Sequence, residues 1–185
     1  VYMGSREYVK RHLATRPETT DPEQLELPTW ARKQTWPIQP LAGHSKISAY
    51  FNIDNGGGQI RGIYAEENAA IVPIFRAWLE PFADLGADRV TMKTTFGTDH
   101  QTFDWVGIPG FQFIQDCMDY MGRNHHSNVD TYDHLNPDDL KKSAVILASF
   151  IWHAANREEL LPRKPMPTEP KEPAEKKKQA EPKEQ

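Results

Sequence analysis

Apolar and polar positions alternate over Lys46–Asp54, with Ile47, Ala49, Phe51 and Ile53 on one side and Ser48, Tyr50 and Asn52 on the other. A period of two marks a half-buried strand. It ends at Asp54-Asn55-Gly56-Gly57-Gly58, where glycine permits a sharp exit. Gln59–Tyr64 reads as a second short strand, Arg89–Thr95 alternates as a third, and Phe111–Gln115 is a short apolar run after Ile108-Pro109-Gly110. Between them the period becomes helical. Apolar residues at 71, 74, 75, 78, 79 and 82 predict a helix within Glu66–Leu85, with Pro73 in its first turn or kinking it.

The best-marked element comes last. Asn136 is an N-cap, Pro137 sits at the first helical position, and Asp138 and Asp139 favour the helix dipole. Leu140, Ala144, Leu147, Ile151 and Ala155 then predict one apolar stripe. At the other end, Ser5 is placed to cap a helix carrying Tyr8, Val9 and Leu13. Residues 17–44 are rich in proline and poor in periodic apolar positions, so they read as a long irregular excursion with short helical turns. Trp30 and Trp36 suggest that it packs. Strands alternating with helices predict an α/β fold, a mixed β-sheet flanked by helices.

Composition adds the boundaries. Of 185 residues, 38% are hydrophobic, which supplies a core and excludes wholesale disorder. The segment from Pro162 to Gln185 is proline-, lysine- and glutamate-rich with Met166 as its one large apolar residue, so it reads as a disordered tail, and residues 1–161 as the domain. A net charge of −4 disfavours a general nucleic-acid binder. No apolar run is long enough to cross a bilayer, and no signal-peptide pattern is present. The lone Cys117 excludes an internal disulfide and reads as a buried thiol.

Four clusters carry candidate chemistry. Asp54 stands at the end of a strand before a glycine turn, where open α/β sheets place ligands; the plainer reading is an Asp capping its own turn. Asp99 and His100 sit between a strand and a helix, as a cap plus a surface histidine or as cleft residues. In Arg123–Thr131, His125 and His126 are adjacent and so point apart; a histidine followed four residues later by Asp130 fits a ligand with an orienting carboxylate, or simply a polar loop. Glu66-Glu67 reads as helix-start acids. No G-x-S-x-G, Walker loop, G-x-G-x-x-G or HExxH is present.

Three blocks in order, FNIDNGGG, GTDHQTFDWVGIPGFQFIQD and RNHHSNVDTYDHL before a capped helix, resemble the C-terminal half of the M28 zinc exopeptidases, in the branch of carboxypeptidase Q. The opening GSREYVKRHL is similar to the helix that follows that family's Glu-Glu motif, so the resemblance spans roughly residues 1–160. It implies a three-layer α/β/α domain and hydrolysis of peptide bonds by a water that two Zn²⁺ ions activate. Carried over by position, Asp54 matches the terminal carboxylate ligand of one zinc and His126 the histidine ligand of the other. Asp99 and His100 match a loop beside the cleft, as substrate-contacting or supporting residues, and Asp130 looks like a support for the His126 loop.

The family's His-x-Asp segment and Glu-Glu pair have no counterpart in the sequence. They supply the remaining ligands and the general base and would precede Val1, so the expectation is a fragment that carries no catalytic residue of its own and is inactive alone. By the same resemblance the intact enzyme is an aminopeptidase or dipeptidase, acts on a peptide substrate, is secreted or periplasmic, and leaves a homodimer open. Two other classes fit the pattern: a non-catalytic peptidase-like interaction or dimerisation module, and a one-zinc acyltransferase of the glutaminyl-cyclase type.

Overall fold

The computed structural model describes residues 2–29 and 31–170, so Trp30 and residues 171–185 of the expected tail lie outside the described residues. The chain opens with α1, Met3–His12, which buries Val9 and leads into the buried Leu13. Ser5 is not its cap; Tyr2 holds that position. β1 (Ala14–Thr15) and β2 (Gln39–Pro40) pair antiparallel and pin the two ends of the irregular excursion. Within it, α2 (Pro22–Glu26) is capped by Asp21, whose side chain accepts from the Glu23 amide. The excursion packs through the buried Ile38 and through Trp36, whose ring lies 4.2 Å from the Arg16 guanidinium.

The main sheet contains β3 (Tyr50–Asn52), β4 (Ile60–Tyr64), β5 (Arg89–Thr91) and β6 (Gly110–Gln115), in the order β3-β6-β4-β5. β3 runs parallel to β6, β6 antiparallel to β4, and β4 parallel to β5, so the sheet is mixed as expected. The helix expected within 66–85 is broken into a 3₁₀ turn, then α3 (Val72–Leu79), then a second 3₁₀ stretch over Glu80–Leu85. Pro73 sits in the first turn of α3, where its missing N–H costs nothing. α4 (His100–Asp104) follows β5, and α5 (Pro137–Ala155) closes the fold.

Alternation along β6 sorts the layers. Phe111 and Phe113 join Phe75 and Trp78 of α3 and Ile146 and Phe150 of α5 in the larger core. The Phe75 and Phe111 rings meet edge to face at 4.8 Å, and Phe113 and Phe150 do so at 5.1 Å, a geometry that aromatic quadrupoles favour. On the opposite side of the sheet, Tyr50 stacks on Phe103 of α4 at 4.1 Å, and Val9, Leu13, Val106 and Ile108 complete a second core. No described helix is long and apolar enough to cross a membrane.

Three further details differ from the sequence reading. α5 buries Ser143, Ile146 and Phe150, whereas Leu140 and Ile151 of the expected stripe are 47% and 52% exposed. Cys117 is exposed, not buried. The segment beginning at Pro162 does not leave the body at once. Arg163 donates to the carbonyls of His44 and Ile47 at 2.9 and 2.7 Å, and the Lys164 ammonium pairs with Asp104 at 2.8 Å. A single arginine among carbonyls fixes a strap that composition alone reads as tail.

Candidate functional site

β3 delivers the Asn52–Asp54 segment to the edge of the molecule. Its exit turn is held by the end of β6: the Gln115 side chain donates to the Gly56 carbonyl at 2.8 Å and accepts from the Asn55 amide at 3.4 Å. Gly56 and Gly58 pass so close to Asp116 that a β-carbon at either would collide with it. These glycines are needed for close approach of two backbones in the turn that follows Asp54.

Asp54 is electrostatically coupled to residues from two other parts of the chain. Partial burial raises its carboxyl pKa above the ordinary value, and the Asp99 charge pushes it the same way, while His125 and His126 pull it down. Tyr50 and Tyr120 report the same convergence. Burial raises both phenols, and the Asp54 charge adds to the shift in each. The Tyr120 hydroxyl also donates to the Asp54 carbonyl at 3.4 Å. The Tyr120 ring lies 4.8 Å from His125, which stacks on His126 at 3.9 Å. His126 itself has φ 56°, the left-handed region that few non-glycine residues occupy.

Asp99 occupies the cap position of α4 without a side-chain cap bond; its carboxylate instead accepts from the Ser5 hydroxyl of α1. An open groove of about 660 Å³ lies there, lined by Tyr2, Ser5, Tyr8, Tyr50, Asp99 and Phe103. His100 does not face that groove. It is 1% exposed and belongs to a chain of buried polar contacts behind it. Asn52 donates to the Gln112 side-chain oxygen at 2.7 Å, and Thr98 donates to the same oxygen at 3.0 Å. The Thr98 hydroxyl, with its one proton so used, accepts from His100 Nδ1 at 2.5 Å. His100 Nε2 then lies 3.3 Å from the Glu66 carboxylate, off the direction of a good hydrogen bond.

The structure thus brings Asp54, Asp99 and the His125-His126 pair towards one rim and sets His100 behind it. Asp130 is exposed, and among the described residues no hydrogen bond joins its carboxylate to His126. The His126 loop is held instead by Ser127, whose hydroxyl lies 2.9 Å from both the Arg123 and Asn124 carbonyls and donates to one of them, while its amide donates to the Asn124 carbonyl at 3.0 Å. Glu66, read from sequence as a helix-start acid, is 4% exposed and also accepts from the Thr95 amide at 3.3 Å. Its neighbours in space come from distant segments, so local spacing held no signal for it. Its left-handed backbone, φ 50°, is shared by Glu67 at 60°.

As a metal site the described residues are incomplete. None of them form a group of three or more His, Cys, Asp or Glu side chains placed to hold one ion. Asp54 and His126 offer one carboxylate and one imidazole, whereas catalytic zinc keeps about three protein ligands.

No curated protein and no solved structure matches the chain. A family model described as peptidase family M28 matches residues 31–151, about two thirds of the sequence, and that stretch contains Asp54, Glu66, Asp99, His100 and His126. The chain therefore belongs to peptidase family M28.

Proposed function

We propose that this chain contributes the Asp54 carboxylate and the His126 imidazole to the metal centre of a zinc-dependent exopeptidase, an aminopeptidase or dipeptidase. One observation carries the reading: the Tyr120 hydroxyl reaches the Asp54 carbonyl at 3.4 Å while its ring lies 4.8 Å from His125, itself stacked on His126, so segments distant in sequence meet beside Asp54. Such convergence of titratable groups from distant segments is expected of a functional site more than of a solvated surface. Carboxylate and neutral imidazole are both donors that zinc accepts. In this reading the further ligands and the general base come from outside the described residues.

The aromatic groove is the natural seat for the peptide. The stacked Tyr50 and Phe103 rings give it an apolar wall, and Asp99 places a fixed negative charge at its side. A wall of that kind suits an apolar side chain, and the charge suits a free α-ammonium, which favours an aminopeptidase or dipeptidase over a carboxypeptidase.

Calorimetric titration with Zn²⁺ tests the proposal. Weak binding is expected, with a Kd above roughly 1 μM because two ligands leave the coordination short. Asp54→Ala and His126→Ala are each expected to abolish it. Binding that survives both substitutions would favour the non-catalytic module, whose one supporting observation is the missing third donor among the described residues. Peptide hydrolysis that a chelator leaves unchanged would overturn the zinc assignment.

A further inference from the structure

A second concavity, of about 380 Å³, lies on the other side of α1 and α4 from the aromatic groove. That size falls within the range of about 300–1,000 Å³ usual for small-molecule sites. The two helices form the partition. Ser5 and Tyr8 of α1 and Phe103 of α4 line the groove, whereas Arg6 and Lys10 of α1 and Thr102 of α4 line the second concavity.

Its walls are basic. Arg6, Lys10, Arg16, Arg32 and Lys33 face a single acid, Glu18, in a chain whose net charge is −4. Lys10 pairs with Glu18 at 3.4 Å. Arg16 is held by carbonyls instead: it donates to Thr35 at 2.8 Å and to Trp105 at 2.9 Å, and lies over the Trp36 ring. Arg32 donates to the Leu25 and Leu27 carbonyls, both at 2.9 Å. Arg6 lies over Tyr2 and Trp105, 5.3 and 5.5 Å from their ring centres. Carbonyls and rings orient a guanidinium without neutralising it. Two N–H bonds fix Arg16 and leave the rest of its fork unspent. Burial also pulls the Arg16 pKa below its usual value, a cost that a bound counter-charge would remove.

Oriented, unneutralised guanidinia in a concave wall are the arrangement that recognises oxyanions by paired, charge-assisted hydrogen bonds. We propose that this concavity binds a small organic anion bearing two or more phosphate or carboxylate groups, with Arg16 as its fixed anchor and Arg6 and Lys33 closing on it. The proposal is independent of the peptidase reading, because neither Asp54 nor His126 lines the concavity.

The test is calorimetric titration of the 185-residue chain with inorganic pyrophosphate and, separately, with citrate, at physiological ionic strength. One saturable site is expected for at least one probe. Pyrophosphate alone identifies phosphoryl groups, citrate alone carboxylates, and both the shared chemistry. Arg6→Gln and Lys33→Gln, at positions that leave the Arg16 contacts intact, are each expected to weaken binding roughly ten-fold. Lys141→Gln, on exposed α5, is expected to leave it unchanged. Failure of both probes to saturate, or an equal loss in Lys141→Gln, would overturn the proposal.

Discussion

Glu66 and His100 face each other at 3.3 Å with side chains only 5% and 1% exposed, and they end a polar chain that begins at Asn52 on β3. That chain ties the loop carrying Asp99 to the segment that leads to Asp54. Deleting the carboxylate removes the acceptor of the Thr95 amide and leaves a void beside the buried His100 ring. Glu66→Ala is expected to lower stability by about 1–3 kcal/mol, and Glu66→Gln by less, read from urea unfolding. An unchanged midpoint in Glu66→Ala would count against the pair.

Gly110, the first residue of β6, allows α4 to lie directly on the sheet. A β-carbon there would strike the His100 backbone carbonyl, which cannot swing aside as a side chain can. Gly110→Ala is expected to cost at least about 1–3 kcal/mol by overpacking. It should also lift α4 and change the near-ultraviolet signal of the Tyr50–Phe103 stack. A fully native spectrum and melting temperature would show that the contact is softer than the backbone geometry requires.

Asp54 makes a pH prediction whose sign follows from its raised pKa. When an acid's pKa is higher in the folded state, the folded chain binds the extra proton between the ordinary 3.8 and the raised value. Stability contributed by this residue is therefore lost as pH climbs through that window. Asp54→Asn removes the titration. It is expected to be more stable than the parent at neutral pH and equal to it below 3.8, in denaturant midpoints measured across that range. A parent more stable than Asp54→Asn at neutral pH would reverse the assignment. A residue that weakens the fold is a reasonable candidate for one kept for function.

Arg163 gives a fourth prediction. Its two bonds to the His44 and Ile47 carbonyls hold the strap against the 3₁₀ turn at His44–Lys46. Arg163→Ala is expected to cost about 1.5–3 kcal/mol, the range for hydrogen bonds to a charged group. Amide exchange should rise at both ends of the contact, in residues 44–47 and 161–167. Exchange confined to the strap alone would mean that the turn is held by other contacts.

The sequence is most informative where structure is local. Asn136-Pro137-Asp138-Asp139 specifies the start of α5 within four residues, and the Asn136 side chain accepts from both aspartate amides at 2.9 and 3.3 Å. The face of α5 is harder to read. Ile146 and Phe150 on one side and Val145, Ile151 and Trp152 on another are all apolar, and period alone does not say which side meets the sheet. Glu66 was illegible because its partners are His100 and the Thr95 amide, both beyond helical reach. The M28 blocks were legible as blocks. That Asp54, Asp99 and His126 converge required β3 and β6 to pair, which spacing cannot supply.

β3 pairs with β6, and β4 pairs with β6 and β5, but β3 and β4 do not pair with each other. During synthesis, therefore, β3 and β4 emerge with no ladder joining one to the other. They stay uncoupled until Gly110–Gln115 has left the ribosome and inserted between them. A chain halted between Thr91 and Gly110 holds the partners of the β4–β5 ladder but not those of the β3–β6 ladder, so β6 is the strand whose arrival joins the two parts of the sheet.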